Sequence, residues 1–361
     1  MPLPQNWNIL VKATNHNDTT SLKQYLTTET VNNQNEHGDR LIHFACRAGN
    51  LDILKCLVED FGADVNVPNK NSRRPLHECI EHHELVAYLL SHNADPNGFK
   101  QGTWTPLMLA ASKSLPATLT LLHTHGALLN PTNKDGWTCL HLSAQSGSLP
   151  CTSNILSHSP SLLWTHARNG MVPVHVAAKH GFTECVEALM GKMVEEEQGG
   201  RKPVTEKKKA VEVETNEGLT ALHLSCHSES TETVKVLLDC FHTNFWATDK
   251  AGRNVLHHAA MAGHIHILQF LKAHLLENPT LLRDVVDGDV EGAVRREFER
   301  HDTFEGFSTL HWAAKEGFGD VVGWLTSGEG AGVGKDVRDG KGRTAREVAL
   351  LFKNDELMNL L

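Results

Sequence analysis

The sequence predicts an all-α solenoid of stacked helix pairs, and three observations carry that reading. One motif, a capping or extended residue followed by an apolar residue and a histidine, recurs along the 361 residues at a near-constant spacing. Each copy continues into two short stretches with apolar residues at helical intervals, most of them separated by a glycine. One helix pair cannot bury its own apolar face, so at least three must stack, and stability becomes a sum of nearest-neighbour terms.

The register is set by His43, His77, His141, His175, His223, His257 and His311, with Met108 filling one slot and Glu347 closing the series. Successive slots lie 34, 31, 33, 34, 48, 34, 54 and 36 residues apart. Ahead of the first slot, residues 1–35 read as a degenerate polar capping repeat around "ILVKA" and "SLKQYL". Within the repeats, Thr105, Thr138 and Thr220 stand where a hydroxyl takes up an orphan amide of the first turn. Pro75, Pro106 and Pro173 occupy the first helical position, where the missing N–H costs nothing. Paired alanines (110–111, 177–178, 259–260, 313–314) let neighbouring helices approach, and Gly49, Gly147, Gly181, Gly263 and Gly317 suit a left-handed C-cap. Residues 340–361 read as the closing repeat, leaving no room for a second domain in 1–361.

Two insertions lengthen the period. Residues 194–214 are charge-dense without apolar periodicity, which predicts a disordered loop. Residues 278–302 predict a short extra helix near 290–300, and both insertions are expected to project from the array.

"TPLMLAA" (105–111), "PLHECI" (75–80) and "GADVN" (62–66) resemble the ankyrin repeat, whose period is about 33 residues and whose signature is T-P-L-H-x-A. The resemblance implies about nine repeats plus the N-terminal cap, β-hairpin-like turns between them, and a concave turn-lined face that binds proteins. Residues 70–190, through "WTPLM" (104–108), "NKDGW" (133–137) and "RRPLHE" (73–78), are similar to a vertebrate branch of that family. That similarity implies alanyl-tRNA synthetase as partner and lysines that capture misactivated serine, with Lys134 aligned to one acceptor, Lys100 adjacent to a second, and Gln101 and Thr165 at the other two positions.

The scaffold does not dictate the residue four before each slot. Arg73, Trp104, Trp137, Met171, Leu219, Arg253 and Phe307 stand there, and the apolar middle of the series predicts one partner-binding strip. The competing reading is that each tryptophan folds back over its own turn. Seven before the slot, Lys70, Gln101, Lys134, Arg168 and Lys250 form a second row that common turn chemistry also explains.

Other chemistry finds little footing. Eight scattered cysteines without C-x-x-C read as small buried hydrophobes, Cys46, Cys56, Cys79, Cys185, Cys226 and Cys240 within helical patterns. No cluster among the 24 histidines reproduces a zinc ligand spacing, and "SGEGAGVGKD" (327–336) puts Glu329 and Asp336 where a P-loop needs glycine and a hydroxyl. No metal, no cofactor and no catalytic residue is expected. A net charge of −9 argues against nucleic acid. With no apolar run of membrane length and no leader-like start, a cytoplasmic or nuclear monomer is expected. A ubiquitin-ligase adaptor remains an alternative, but would need a recruiting domain after Leu361.

Overall fold

The computed structural model describes residues 6–198, 210–283 and 285–361, and the chain divides after Ala167 into two compact units. In the first, helix pairs follow one another: Trp7–Asn15 with Thr19–Tyr25, Leu41–Ala48 with Leu51–Lys55, Pro75–Glu78 with His83–Ser91, Pro106–Ser112 with Pro116–Thr124, and Cys139–Gln145 with Leu149–His158. The second unit continues with Pro173–Lys179 and Thr183–Gln198, Ala221–Ser225 and Thr231–Asp239, Val255–Ala262 and Ile265–Glu277, and Thr309–Glu316 and Gly319–Thr326. It ends with Ala345–Leu351 and a 3-10 turn at Asp355–Asn359. Both units are mainly helical, as the periodicity predicts.

Local chemistry starts and stops the helices. Thr105 Oγ accepts the Met108 amide at 3.2 Å, and Pro75, Pro106 and Pro173 sit in first turns. Thr138 is the N-cap of its helix in a capping box with His141, whose Nδ1 also meets the Thr138 hydroxyl at 2.9 Å. The five helix-ending glycines are all left-handed, with φ from 67° to 87°. Every one of the paired alanines is fully buried, so the first helices of adjacent repeats pack almost backbone to backbone.

Two sequence expectations change. The insertion at 278–302 does not simply project: helix Val290–Glu299 buries Ala293, Val294 and Phe298, and the Phe298 ring packs edge-on against Trp324 with centroids 5.9 Å apart. Its sequence looks polar because its other face, with Glu291 and Arg295, is exposed, and Phe298 O also accepts the Thr309 hydroxyl at 2.7 Å. Cys240 is exposed, because it caps the helix ending at Asp239 rather than lying within it, whereas the other seven cysteines are buried. Of the charge-dense segment, Val194–Gln198 extends a helix and Ala210–Glu212 forms a 3-10 turn, while 199–209, where the predicted loop falls, lie outside the described residues.

Candidate interaction surface

The turn ahead of six of the nine slots is closed by a side-chain acceptor eight residues before it. Asn133 Oδ1 accepts the amides of Asp135 and Trp137, both at 2.9 Å. Asn35, Asn69, Thr215, Asp249 and Asp339 do the same in their own turns. Their short side chains bond the backbone two and four residues on, which is why Asn, Asp and Thr recur. That recurrence stands in the sequence and escapes notice only because the acceptor type varies.

Turns then join to one another through the backbone. The Lys70 amide donates to His37 O at 3.0 Å, Gln101 to Asn71 O at 3.1 Å and Lys134 to Gly102 O at 3.1 Å, and the second unit repeats the pattern from Lys250 to Glu217 O at 3.0 Å. The row seven before the slot is therefore held by its main chain, and the exposed side chains of Lys70, Gln101, Lys134, Arg168 and Lys250 are left to solvent or a partner.

Most slot histidines tie their helix to the next turn, whereas the buried His77 Nε2 has no hydrogen-bond partner among the described residues. His257 Nδ1 accepts the Asn254 amide at 3.2 Å, and its Nε2 donates to Arg300 O at 3.0 Å. His43, His223 and His311 make the same two bonds, to Arg73 O, Ala247 O and Arg343 O. This geometry requires the neutral ring. Burial pushes the imidazoles down, to about 4 for His77 and His257 and about 3 for His223.

The position four before the slot does not behave as one strip. Trp104, Trp137, Leu219, Arg73 and Arg253 are half-exposed, but Met171 is 8% exposed and Phe307 only 2%. Phe307 turns back and stacks on its own His311 at 5.6 Å, so it belongs to the core and offers no binding surface. Met171 is likewise removed from the expected surface by burial. Trp137 stacks on His141 at 5.9 Å yet keeps one side open, so both readings of it hold in part. Arg73 is tied to Glu78 at 2.8 Å in a network that continues through Arg47 to Asp39, and Arg253 is tied to Asp249 at 2.6 Å.

The repeat around Met108 is the irregular one. It lacks the slot histidine, and Lys100 stands where six other turns have their acceptor. Lys100 bridges backbone to backbone with Trp104 instead, and its ammonium lies 5.2 Å from the centre of the Trp104 ring. Partial burial, together with repulsion from Arg73, lowers the Lys100 pKa from its usual value.

The family model for ankyrin repeats matches in three copies, over residues 9–100, 97–163 and 198–281. The chain belongs to the ankyrin repeat family. Ankyrin repeats are generally non-enzymatic protein–protein interaction modules. Human ankyrin repeat domain-containing protein 53 is 36% identical over 86 residues, 22% of this chain and 16% of that protein. The NF-kappa-B inhibitor cactus of Drosophila melanogaster is 43% identical over 60 residues, 16% of this chain and 12% of its own length. Alpha-latrocrustotoxin-Lt1a of Latrodectus tredecimguttatus is 37% identical over 84 residues, 23% of this chain and 6% of the toxin. Each likeness thus spans less than a fifth of the relative. Among the described residues no helix is long and apolar enough to cross a membrane, and no group of three or more His, Cys, Asp or Glu is placed to hold a metal ion.

Proposed function

We propose that this ankyrin-repeat chain is a non-enzymatic scaffold that binds a partner protein through its inter-repeat turns, with alanyl-tRNA synthetase the partner to test first. One observation carries the reading: Trp104 and Trp137 stand half-exposed on adjacent turns that are joined by the bond from the Lys134 amide to Gly102 O. Tryptophan presented on a rigid, hydrogen-bonded support loses little entropy on binding and is a residue type enriched among hot spots. Local departure from the repeat pattern at Lys100 and Met108 adds support, since scaffolds break their own rules where function demands it. The choice of synthetase rests on the resemblance of residues 70–190 to vertebrate ankyrin repeat domain-containing protein 16. Residence as a monomer in the cytoplasm or nucleus, and capping roles for 1–35 and 340–361, belong to the same reading.

Replacing both tryptophans, Trp104→Ala with Trp137→Ala, is expected to weaken synthetase binding at least about a hundredfold, given about 2 kcal/mol or more from each hot spot. Calorimetry with purified synthetase reads this directly. Unchanged affinity in the folded double variant would remove the tryptophans from the interface, and no binding by the wild type would remove the synthetase.

A second reading, an editing cofactor that accepts misactivated serine, is favoured at Lys100 rather than at Lys134 by the lowered Lys100 pKa. A neutral amine attacks the carbonyl of seryl-adenylate, an amide forms, AMP leaves with the bonding pair, and the ammonium proton passes to water. Incubation with synthetase, serine and ATP followed by peptide mass mapping is expected to place a seryl adduct on Lys100, reduced in Lys100→Arg. An adduct on Lys134 alone, or on neither lysine, counts against that assignment.

A further inference from the structure

In the second unit, carboxylates close to the first helices are turned inward and fully engaged. Asp249 accepts the amides of Ala251 and Arg253 on one oxygen, and the Arg253 Nε–H at 2.7 Å and His258 Nε2 at 3.2 Å on the other. Asp302 accepts four turn amides, from Phe304 to Phe307, on one oxygen and the Trp312 indole N–H at 2.8 Å on the other. Both aspartates are buried.

The cations beside them keep donors that these carboxylates do not fill. The Arg253 guanidinium lies 5.7 Å from the centre of the Trp312 ring, and its remaining nitrogen, NH1, has only the Met261 sulfur at 3.9 Å. Lys315 Nζ sits 4.3 Å from the centre of the same ring and 5.4 Å from that of Phe352, and Glu316, at 3.8 Å, is too far for a hydrogen bond. Phe352 is 45% exposed beside Leu351 at 59%. The result is a shelf of unfilled N–H donors and apolar surface in a chain whose net charge is −9. Cations resting on an aromatic ring are partly desolvated, which strengthens their pull on an anion.

We infer that Arg253, Lys315, Trp312 and Phe352 form a docking shelf for an acidic segment of a partner protein, one that carries a carboxylate next to an apolar side chain. The carboxylate is held by Arg253 NH1 and Lys315 Nζ, and the apolar neighbour covers Phe352 and Met261. This rests on the scaffold reading above but uses different residues from the tryptophan strip, so the two can fail separately.

Panning a display library of random peptides, about a dozen residues long, on the full chain tests it. The expected clones are enriched in Asp or Glu beside an apolar residue, lose at least about tenfold in affinity with Lys315→Glu, and bind Trp104→Ala/Trp137→Ala normally. Arg253→Gln is expected to act in the same direction. Because it also strips a partner from Asp249, Lys315→Glu, at a half-buried side chain that holds no buried carboxylate, is the deciding variant where Arg253→Gln does not fold. Clones without acidic bias, or acidic clones indifferent to Lys315→Glu, overturn the shelf. Clones lost only in the tryptophan variant overturn it while leaving the strip standing, and recovery of no clones at all removes both.

Discussion

Lowering the pH from about 7.5 to about 5 is expected to remove about 6 kcal/mol of folding stability, through His77, His223 and His257 alone. Each is buried and neutral in the fold, with its pKa pushed from near 6.5 down to about 4, about 3 and about 4, first of all by burial. Between those values and 6.5 the unfolded chain binds more protons than the folded one, so stability falls as the pH falls. The contribution is complete above about 6.5, and at pH 5 each ring has lost about 2 kcal/mol. The loss ends near the folded pKa values. Protonation also places a hydrogen on Nδ1 against a backbone N–H, as between Asn254 and His257, where only the Asn254 Oδ1 at 2.8 Å offers it an acceptor. Asp39 and Asp339, whose pKa values lie below the ordinary carboxylate range in the fold, titrate at lower pH and leave this window unaffected. With total stabilities of about 5–15 kcal/mol for most domains, a loss of this size brings the array close to unfolding. Urea midpoints followed by far-UV circular dichroism at the two pH values check it, and equal midpoints would sink the idea.

Gly306→Ala is expected to cost about 3 kcal/mol or more, and Gly62→Ala only about 1 kcal/mol. Both glycines are left-handed, with φ of 69° and 70°, so an added Cβ brings the same conformational penalty at each. They differ in what the new atom meets. At Gly306 it runs into the backbone nitrogen of Gly340 in the next turn, with the Gly340 Cα at 2.6 Å, whereas at Gly62 nothing lies within 4 Å. The Gly340 amide also donates to Glu305 O at 3.3 Å, so the clash falls on the link between turns. Comparing thermal midpoints of the two variants isolates the turn-to-turn contact from the backbone term. Similar shifts at both sites would show that the turns are free to separate.

Much of the fold is legible before any coordinates. Slot histidines, first-turn prolines, alanine pairs and C-capping glycines each answer a local demand that recurs once per repeat, so simple spacing reveals them. The acceptors eight before the slot answer an equally local demand. They are harder to see because Asn35, Thr215 and Asp249 meet it with different chemistry. Helix Val290–Glu299 is visible as a helix, but its burial is not, because Phe298 faces Trp324 across a segment that follows it in the chain.

The candidate surface divides along the same line. Residue identity was enough to place Trp104, Trp137, Met171, Leu219 and Phe307 at one repeat position, since the register is a property of the chain. Whether each side chain faces water was settled by packing. Phe307 lies back on His311 beneath Arg343, whose guanidinium sits 5.8 Å from the centre of its ring, and Trp137 meets His141 with a face left open. Lys100 differs from Lys134 for the same reason: one is half-covered against Trp104 and the other is exposed. Periodicity records what every repeat must satisfy by itself, whereas exposure and proton affinity depend on the neighbours that stacking brings against each turn.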